Sequence, residues 1–409
     1  MPDILPRLRM NLDFMPSPVA DRPGLLIRDP FRYSDATLIV PPPLVQCLEC
    51  FDGERTPGDL RELLFRLTGD LQIGELARHL TETLSEAGFL EDPNFERLRQ
   101  EREDAFARGE RREASQAGSG YPEEPEMLRA FVGECLSDPH NPVAGPEDGL
   151  IGLAAPHVSP EGGWETYQAA YRALDSGYRD RVFVILGTSH YGKPDRFGLT
   201  RKPFVTPYGE ARTETALVDL LERTGGEAVK MEDYCQAVEH SIEFQVVFLQ
   251  HVLGPDIRIL PILCGAFAKG LIDGTRPEED DRVRRFLDAL GEIGAREGKR
   301  LLWVMGIDMA HMGRRYGDGF AATADTDEMA EVAVRDAARI ERVEAGDADG
   351  FWRLVKENRD DLKWCGSAPL YTFLRSMPGA RGSLRRYQQW NIDEQSVVSF
   401  GAMTFREGS

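Results

Sequence analysis

"VFVILGTSHYG", residues 182–192, begins as an unbroken apolar run, opens into glycine and stops at a histidine. An apolar run without polar alternation is the mark of a strand buried on both faces, as in a sheet covered by helices on either side. "LIGLAAPH" (150–157) and "LLWVMGIDMAH" (301–311) repeat the pattern. From about residue 148 such runs alternate with helical periodicity, which places strands at 149–156, 181–187, 257–264, 300–307 and 396–405. "WETYQAAYRAL" and "TETALVDLLERTG" read as helices between them. The expected fold class is therefore α/β, a sheet domain with helices on both faces.

In open α/β sheets, ligands bind beyond the carboxyl ends of the strands. His157, His190 and His311 each follow such an end, in a chain with seven histidines. Three imidazoles at equivalent topological positions predict a shared site, and imidazole chemistry makes a metal centre the natural proposal. "AVEHSIEFQVVFLQHVLG" (237–254) adds Glu239 and His240, expected to reach the same pocket as acid/base or orienting groups. Ser241 is a candidate cap for the helix that follows, and His251, deep within that helix, reads as structural. "LKWCGSAPLYTFL" (362–374) places Cys365 before a helix, where a thiol's pKa is lowered and suits a ligand or a nucleophile. Cys264, ending an apolar strand, is the competing thiol, either a pocket residue or inert core.

A length of 409 residues predicts two domains, and 41% apolar with 29% charged residues is ordinary globular composition. Acidic residues outnumber basic ones 69 to 49, for a formal net charge of -20. Such a surface repels phosphate backbones and argues against a nucleic-acid partner. No run approaches a membrane span, and "MPDILPRLRMNLDFMP" lacks the apolar core of a signal peptide, so no membrane association is expected. Six scattered cysteines fit reduced thiols in a cytoplasmic protein.

Residues 1–95 read as a small domain. Short strands around Leu25–Ile27 and Thr37–Val40 flank a turn at Asp29-Pro30, and "TPGDLRELLFRLTG" starts at a Thr56 cap and ends at Gly69. "QIGELARHLTETLSEAGFLED" carries Leu76, Leu80 and Leu84 on one helical stripe, with His79 off it. The phrases "DG.RT..DL...L" and "L.E.GFL" resemble the PqqD-like winged helix, which implies a peptide or protein substrate bound at an exposed sheet edge. A helical cap over the larger domain fits the same residues. Cys47 and Cys50, one helical turn apart, read as buried apolar thiols rather than a metal pair. Residues 96–145, charge-dense and then small and polar, are expected to be an exposed helix and a flexible linker, leaving 146–409 as the α/β metal-binding domain.

"PH…GG…Y.AAY", "VILGTSHYG", "EHSIE…FLQ", "GIDMAHMG" and "CGSAP" occur in that order over roughly residues 148–405. In this the chain resembles the Memo family, the B component of the AmmeMemoRadiSam system, similar in fold to LigB-type class III extradiol dioxygenases. The resemblance implies metal ligands at His157, His190 and Cys365, with His240, Asp308 and His311 as acid/base or orienting groups. It implies iron or copper as cofactor, with zinc also suited to the donors, and a radical SAM enzyme as partner in a modification pathway. The implied function is that of a non-haem metal-dependent oxidoreductase; a peptide- or protein-binding module and a zinc-dependent hydrolase are the alternatives. A thiolate where extradiol enzymes carry a carboxylate is softer, so ring cleavage does not follow from the fold. After Pro156-His157 this chain has "VSPEGGW" where the family commonly has "AGY", so the loop on the substrate side differs.

Overall fold

The computed structural model describes residues 4–19, 21–69, 72–137, 141 and 143–408, and the chain divides into two compact units, 1–109 and 110–409. In the first, strands β1 (Asp13–Pro16), β2 (Leu25–Arg28) and β3 (Thr37–Val40) form an antiparallel sheet in that order. Helices follow at Pro57–Thr68, Ile73–Glu86 and Pro93–Arg108. The first is fixed at both ends by its sequence. The Thr56 hydroxyl accepts from Asp59 N, the Asp59 carboxylate accepts from Thr56 N, and Gly69 closes the helix in the left-handed region at φ 67°. Leu60, Leu64, Leu80 and Leu84 pack with Ile27, Leu48 and Phe51 into the unit's core. Cys47 and Cys50 lie in that core, where burial first raises both thiol pKa values, while His79 is exposed.

Two expectations need correction here. The outer edge of β2 is not open, because residues 13–16 pair along its whole length, leaving β1 and β3 as the sheet edges. The charged segment 96–145 is not an exposed helix and flexible linker. Helix Pro93–Arg108 belongs to the first unit, capped by Asp92 and anchored by Phe95 beneath the Arg9 guanidinium, 3.9 Å from the ring centre. Residues 112–137 belong to the second, in which Tyr121, Leu128 and Val132 are core side chains.

The second unit is built on a mixed sheet. Its strands are β4 (Leu150–Ala155), β5 (Val182–Thr188), β6 (Phe197–Leu199), β7 (Phe204–Thr206), β8 (Gly209–Thr213) and β9 (Val229–Met231). They continue with β10 (Arg258–Cys264), β11 (Leu301–Gly306), β12 (His311–Gly313), β13 (Ala380–Asp393) and β14 (Ser396–Glu407). The central run β4-β11-β5-β10 is parallel. β14 enters antiparallel beside β4 and also pairs with β12 and with β13. Alternate side chains feed two separate cores. Val182, Val184 and Leu186 of β5 pack with the helices Asp281–Glu297 and Ser367–Ser376 on one face. Phe183 and Ile185 meet the helices Pro160–Tyr171 and Glu243–Leu253 on the other. Helices on both faces are what the unbroken apolar runs predict. No helix among the described residues is long and apolar enough to cross a membrane.

Candidate metal centre

Each parallel strand delivers a polar side chain two residues beyond its end: His157 after β4, His190 after β5 and Asp308 after β11. A fourth group arrives across the strand ends, on the loop before helix Glu243–Leu253, which carries Glu239, His240 and Ser241. Two glycines make room for that loop. A Cβ at Gly187 of β5 would lie 2.6 Å from Ser241 Oγ, and one at Gly306 of β11 would lie 2.1 Å from Ser241 O. "LGT" and "MGI" are therefore site residues in their own right, since any side chain there would lift the loop off the sheet. Ser241 does not cap the helix; its hydroxyl donates to Thr188 O at 2.8 Å.

His157 is 2% exposed. Its Nδ1–H donates to Gly306 O at 2.9 Å, which turns Nε2 toward Cys365 Sγ at 3.3 Å and Asp308 Oδ2 at 3.4 Å. The other Asp308 oxygen accepts from His157 N and Val158 N, at 3.0 and 3.3 Å. His190 keeps 29% of its side chain exposed and sets Nδ1 against Glu239 Oε1 at 3.0 Å, leaving Nε2 free for another partner. The rings of His190 and His240 are parallel, 5.1 Å apart, and both stand edge-on to His157.

Glu239 organises this half of the site. Its carboxylate, 1% exposed, accepts from the backbone N–H groups of His190, His240 and Ser241 as well as from His190 Nδ1. Burial alone would raise its pKa, but His190, His240 and these donors hold it far below the usual carboxylate range. It is an orienting anion rather than an acid/base group. His240 is driven down to about 4, first by burial, with the Glu239 attraction offset in part by the neighbouring imidazoles, so it is neutral. His157 is driven the other way. Burial lowers it, yet Asp308 and the Cys365 sulfur raise it to about 9. Against a burial penalty that pushes upward, His157 and His311 bring the Cys365 thiol down to about 5. Sulfur and imidazole thus form a thiolate–imidazolium pair.

The potential donors fall into two groups that share His157: His157, His190 and His240, and His157, Asp308 and Cys365. Within each group the atoms lie within 4.8 Å of one another, a spacing one ion can bridge with bonds of roughly 2.0–2.3 Å. The expected ligands His157, His190 and Cys365 straddle the two groups. Asp308, expected beside the ion, stands within ligating reach. His311 belongs to neither group. Its Nδ1–H donates to Met309 O and Lys363 O, and its ring meets Tyr316 edge-on at 4.8 Å. His251 bonds Tyr208 through Nδ1 at 2.9 Å, away from these groups, and Cys264 is core, its thiol pushed by burial to about 12.

Arg112 gives no sign in the sequence that it belongs here. Fully buried, it pairs with the equally buried Glu243 and donates to Gln236 O and Glu239 O, both at 2.7 Å. Tyr121 OH, Ser115 and Gln116 complete the shell around Glu243. The segment 112–121 therefore clamps the loop that carries Glu239 and His240.

A doubly covered sheet with histidine, cysteine and carboxylate side chains converging past its parallel strand ends defines a mononuclear-centre α/β protein. The family model for Memo-like protein matches residues 112–404, and the chain belongs to that family. A MEMO1 family protein of Aquifex aeolicus is 28% identical over 72% of this chain and 73% of its own length. One of Thermus thermophilus is 28% identical over 74% and 85%, and one of Desulfurococcus amylolyticus 25% over 71% and 96%.

Proposed function

We propose that the second unit binds one metal ion through His157, His190 and Cys365, with Asp308 beside it, and acts as a non-haem metal-dependent oxidoreductase. The observation that carries this reading is the Cys365 thiolate held against His157 while Glu239 aims His190 at the same space. The donor set fits an ion chemically: the sulfur is already anionic, and the imidazoles have their Nδ1 positions engaged, as metal-bound histidines commonly do. Two imidazoles and a thiolate suit iron or copper, and zinc as well. A bound redox ion would supply electron transfer and Lewis acidity. The chain's own part is to orient His190 through Glu239, to keep His240 neutral as a proton acceptor, and to place His311 Nε2 toward the Cys365 side.

The LigB-like ancestry of the domain and a radical SAM partner in a modification pathway belong to the same proposal, supported by the five ordered motifs. For the first unit we propose peptide or protein recognition, in a PqqD-like manner, at the β1 or β3 edge that remains unpaired within its sheet. Anaerobic purification with elemental analysis tests the centre. Wild type should carry about one equivalent of iron or copper, and His190→Ala should lose most of it. His311→Ala should keep the metal and lose the oxidation chemistry. Zinc alone in the anaerobic protein would favour the hydrolase reading, and full metal retention by His190→Ala would refute the ligand assignment.

A further inference from the structure

A cavity of about 270 Å³ opens against His190 and Cys365. Its far wall is Phe267, Leu271, Trp352, Val355, Trp364 and Ala368. We propose that this cavity is the subsite for an uncharged, apolar group of the substrate, an aromatic ring or a branched aliphatic chain of on the order of ten non-hydrogen atoms. The size follows by proportion from the ~150 Å³ apolar cavity that accepts benzene. That the occupant is a substrate group rests on the centre proposed above; that the cavity takes a neutral apolar molecule does not.

The charge argument is a matter of satisfied partners. Two ionic side chains line the cavity, Asp360 and Lys363, and each has a counter-ion in the protein. Arg339 bonds Asp360 at 2.7 Å, and Asp318 bonds Lys363 at 2.8 Å. The indole N–H of Trp352 donates to Thr275 O, and that of Trp364 to Asp336, at 2.8 and 2.6 Å. Thr188 donates its hydroxyl to Cys365 O, and Ser367 donates to Trp364 O. Cys264 lines the cavity as a neutral thiol. A carboxylate or ammonium entering here would leave water without gaining a free counter-charge, whereas an apolar group covers aromatic faces whose polar ends are already bonded. The reacting atom of such a substrate would then stand at the cavity's polar end, beside His190 and Cys365.

Metal-free full-length protein titrated with 4-fluorobenzyl alcohol, 4-fluorobenzoate and 4-fluorobenzylamine, read by fluorine NMR, tests this. The alcohol should bind at least tenfold more tightly than either ion. Ala266→Trp, which builds an indole into the cavity from an exposed lining position, should weaken the alcohol at least tenfold, as should Leu271→Trp. The proposal is overturned if an ion binds as tightly as the alcohol, if both tryptophan variants bind it like wild type, or if wild type does not bind it. Metal content of the same preparations after reconstitution separates the two ideas. Alcohol binding without metal uptake sinks the centre and leaves the subsite; the opposite result does the reverse.

Discussion

Replacing Glu239 by glutamine probes the site through a residue outside the proposed ligand set. One carboxylate oxygen accepts from His240 N, Ser241 N and His190 Nδ1, and the other accepts from His190 N. A glutamine oxygen in the first position keeps three of these bonds. Its NH₂ then faces the His190 N–H, and a buried donor left unpaired costs about 1–3 kcal/mol. The fold should survive that loss. Metal binding should suffer separately, because the anion that orients His190 is gone. Loss of such an outer carboxylate typically weakens a site about 10–100-fold, equivalent to roughly 1.4–2.7 kcal/mol. Competition of apo-protein against a chelator of known affinity measures the first quantity, and urea unfolding the second. A Glu239→Gln protein that binds metal within twofold of wild type would refute the orienting role assigned to this carboxylate.

Three further outcomes follow from the same geometry. Arg112→Met strands the buried Glu243 charge and should cost about 3–5 kcal/mol in urea unfolding, with part recovered in the Arg112→Met/Glu243→Gln double variant; no recovery would show that the pair is not the cause. In metal-free protein, alkylation of Cys365 followed by peptide mass analysis should be nearly flat from pH 6 to 8 and fall as acid protonates the sulfur near pH 5. An ordinary thiol would instead gain about tenfold per pH unit over that range. A fragment 146–409, missing Arg112, Tyr121 and helix Pro125–Ser137, should be insoluble, whereas 110–409 should fold and take up metal. A soluble, metal-binding 146–409 would mean that segment 112–137 is dispensable.

The central sheet was legible because parallel strands covered on both faces are continuously apolar, and β4, β5, β10, β11 and β14 all read that way. Their order fixed where His157, His190 and Asp308 would emerge. β13 escaped notice for the opposite reason. "ARGSLRRYQQWNID" is largely polar because it lies at the sheet margin, where Arg385 pairs with Glu147 and Arg386 with Glu165. β1 was hidden by brevity and a terminal proline. At the centre, the residue types were readable but not all their duties. Glu239 looks like a general acid/base until its four donors are counted. Arg112 sits in "GERREASQ", a charge-dense stretch that resembles a solvated surface, and its partner lies 131 positions away. No local pattern marks a pair at that separation. Asp308 shares its oxygens between His157's backbone and its ring, which spacing does not reveal.

The position of β14 has a consequence for how the protein is made. This strand pairs with β4 through residues 403–406, and its Ser399 bonds the backbone of Met309 and Ala310 on the loop that carries Asp308 and His311. On the ribosome, residues 396–407 emerge after every other strand of the sheet, so the elements holding His157 and Asp308 are unsupported on that side until synthesis is nearly over. Cys365 is itself late. Metal loading is thereby deferred until after translation, when the cell's metal-delivery machinery meets a finished protein, and chains arrested before residue 396 would lack a competent centre.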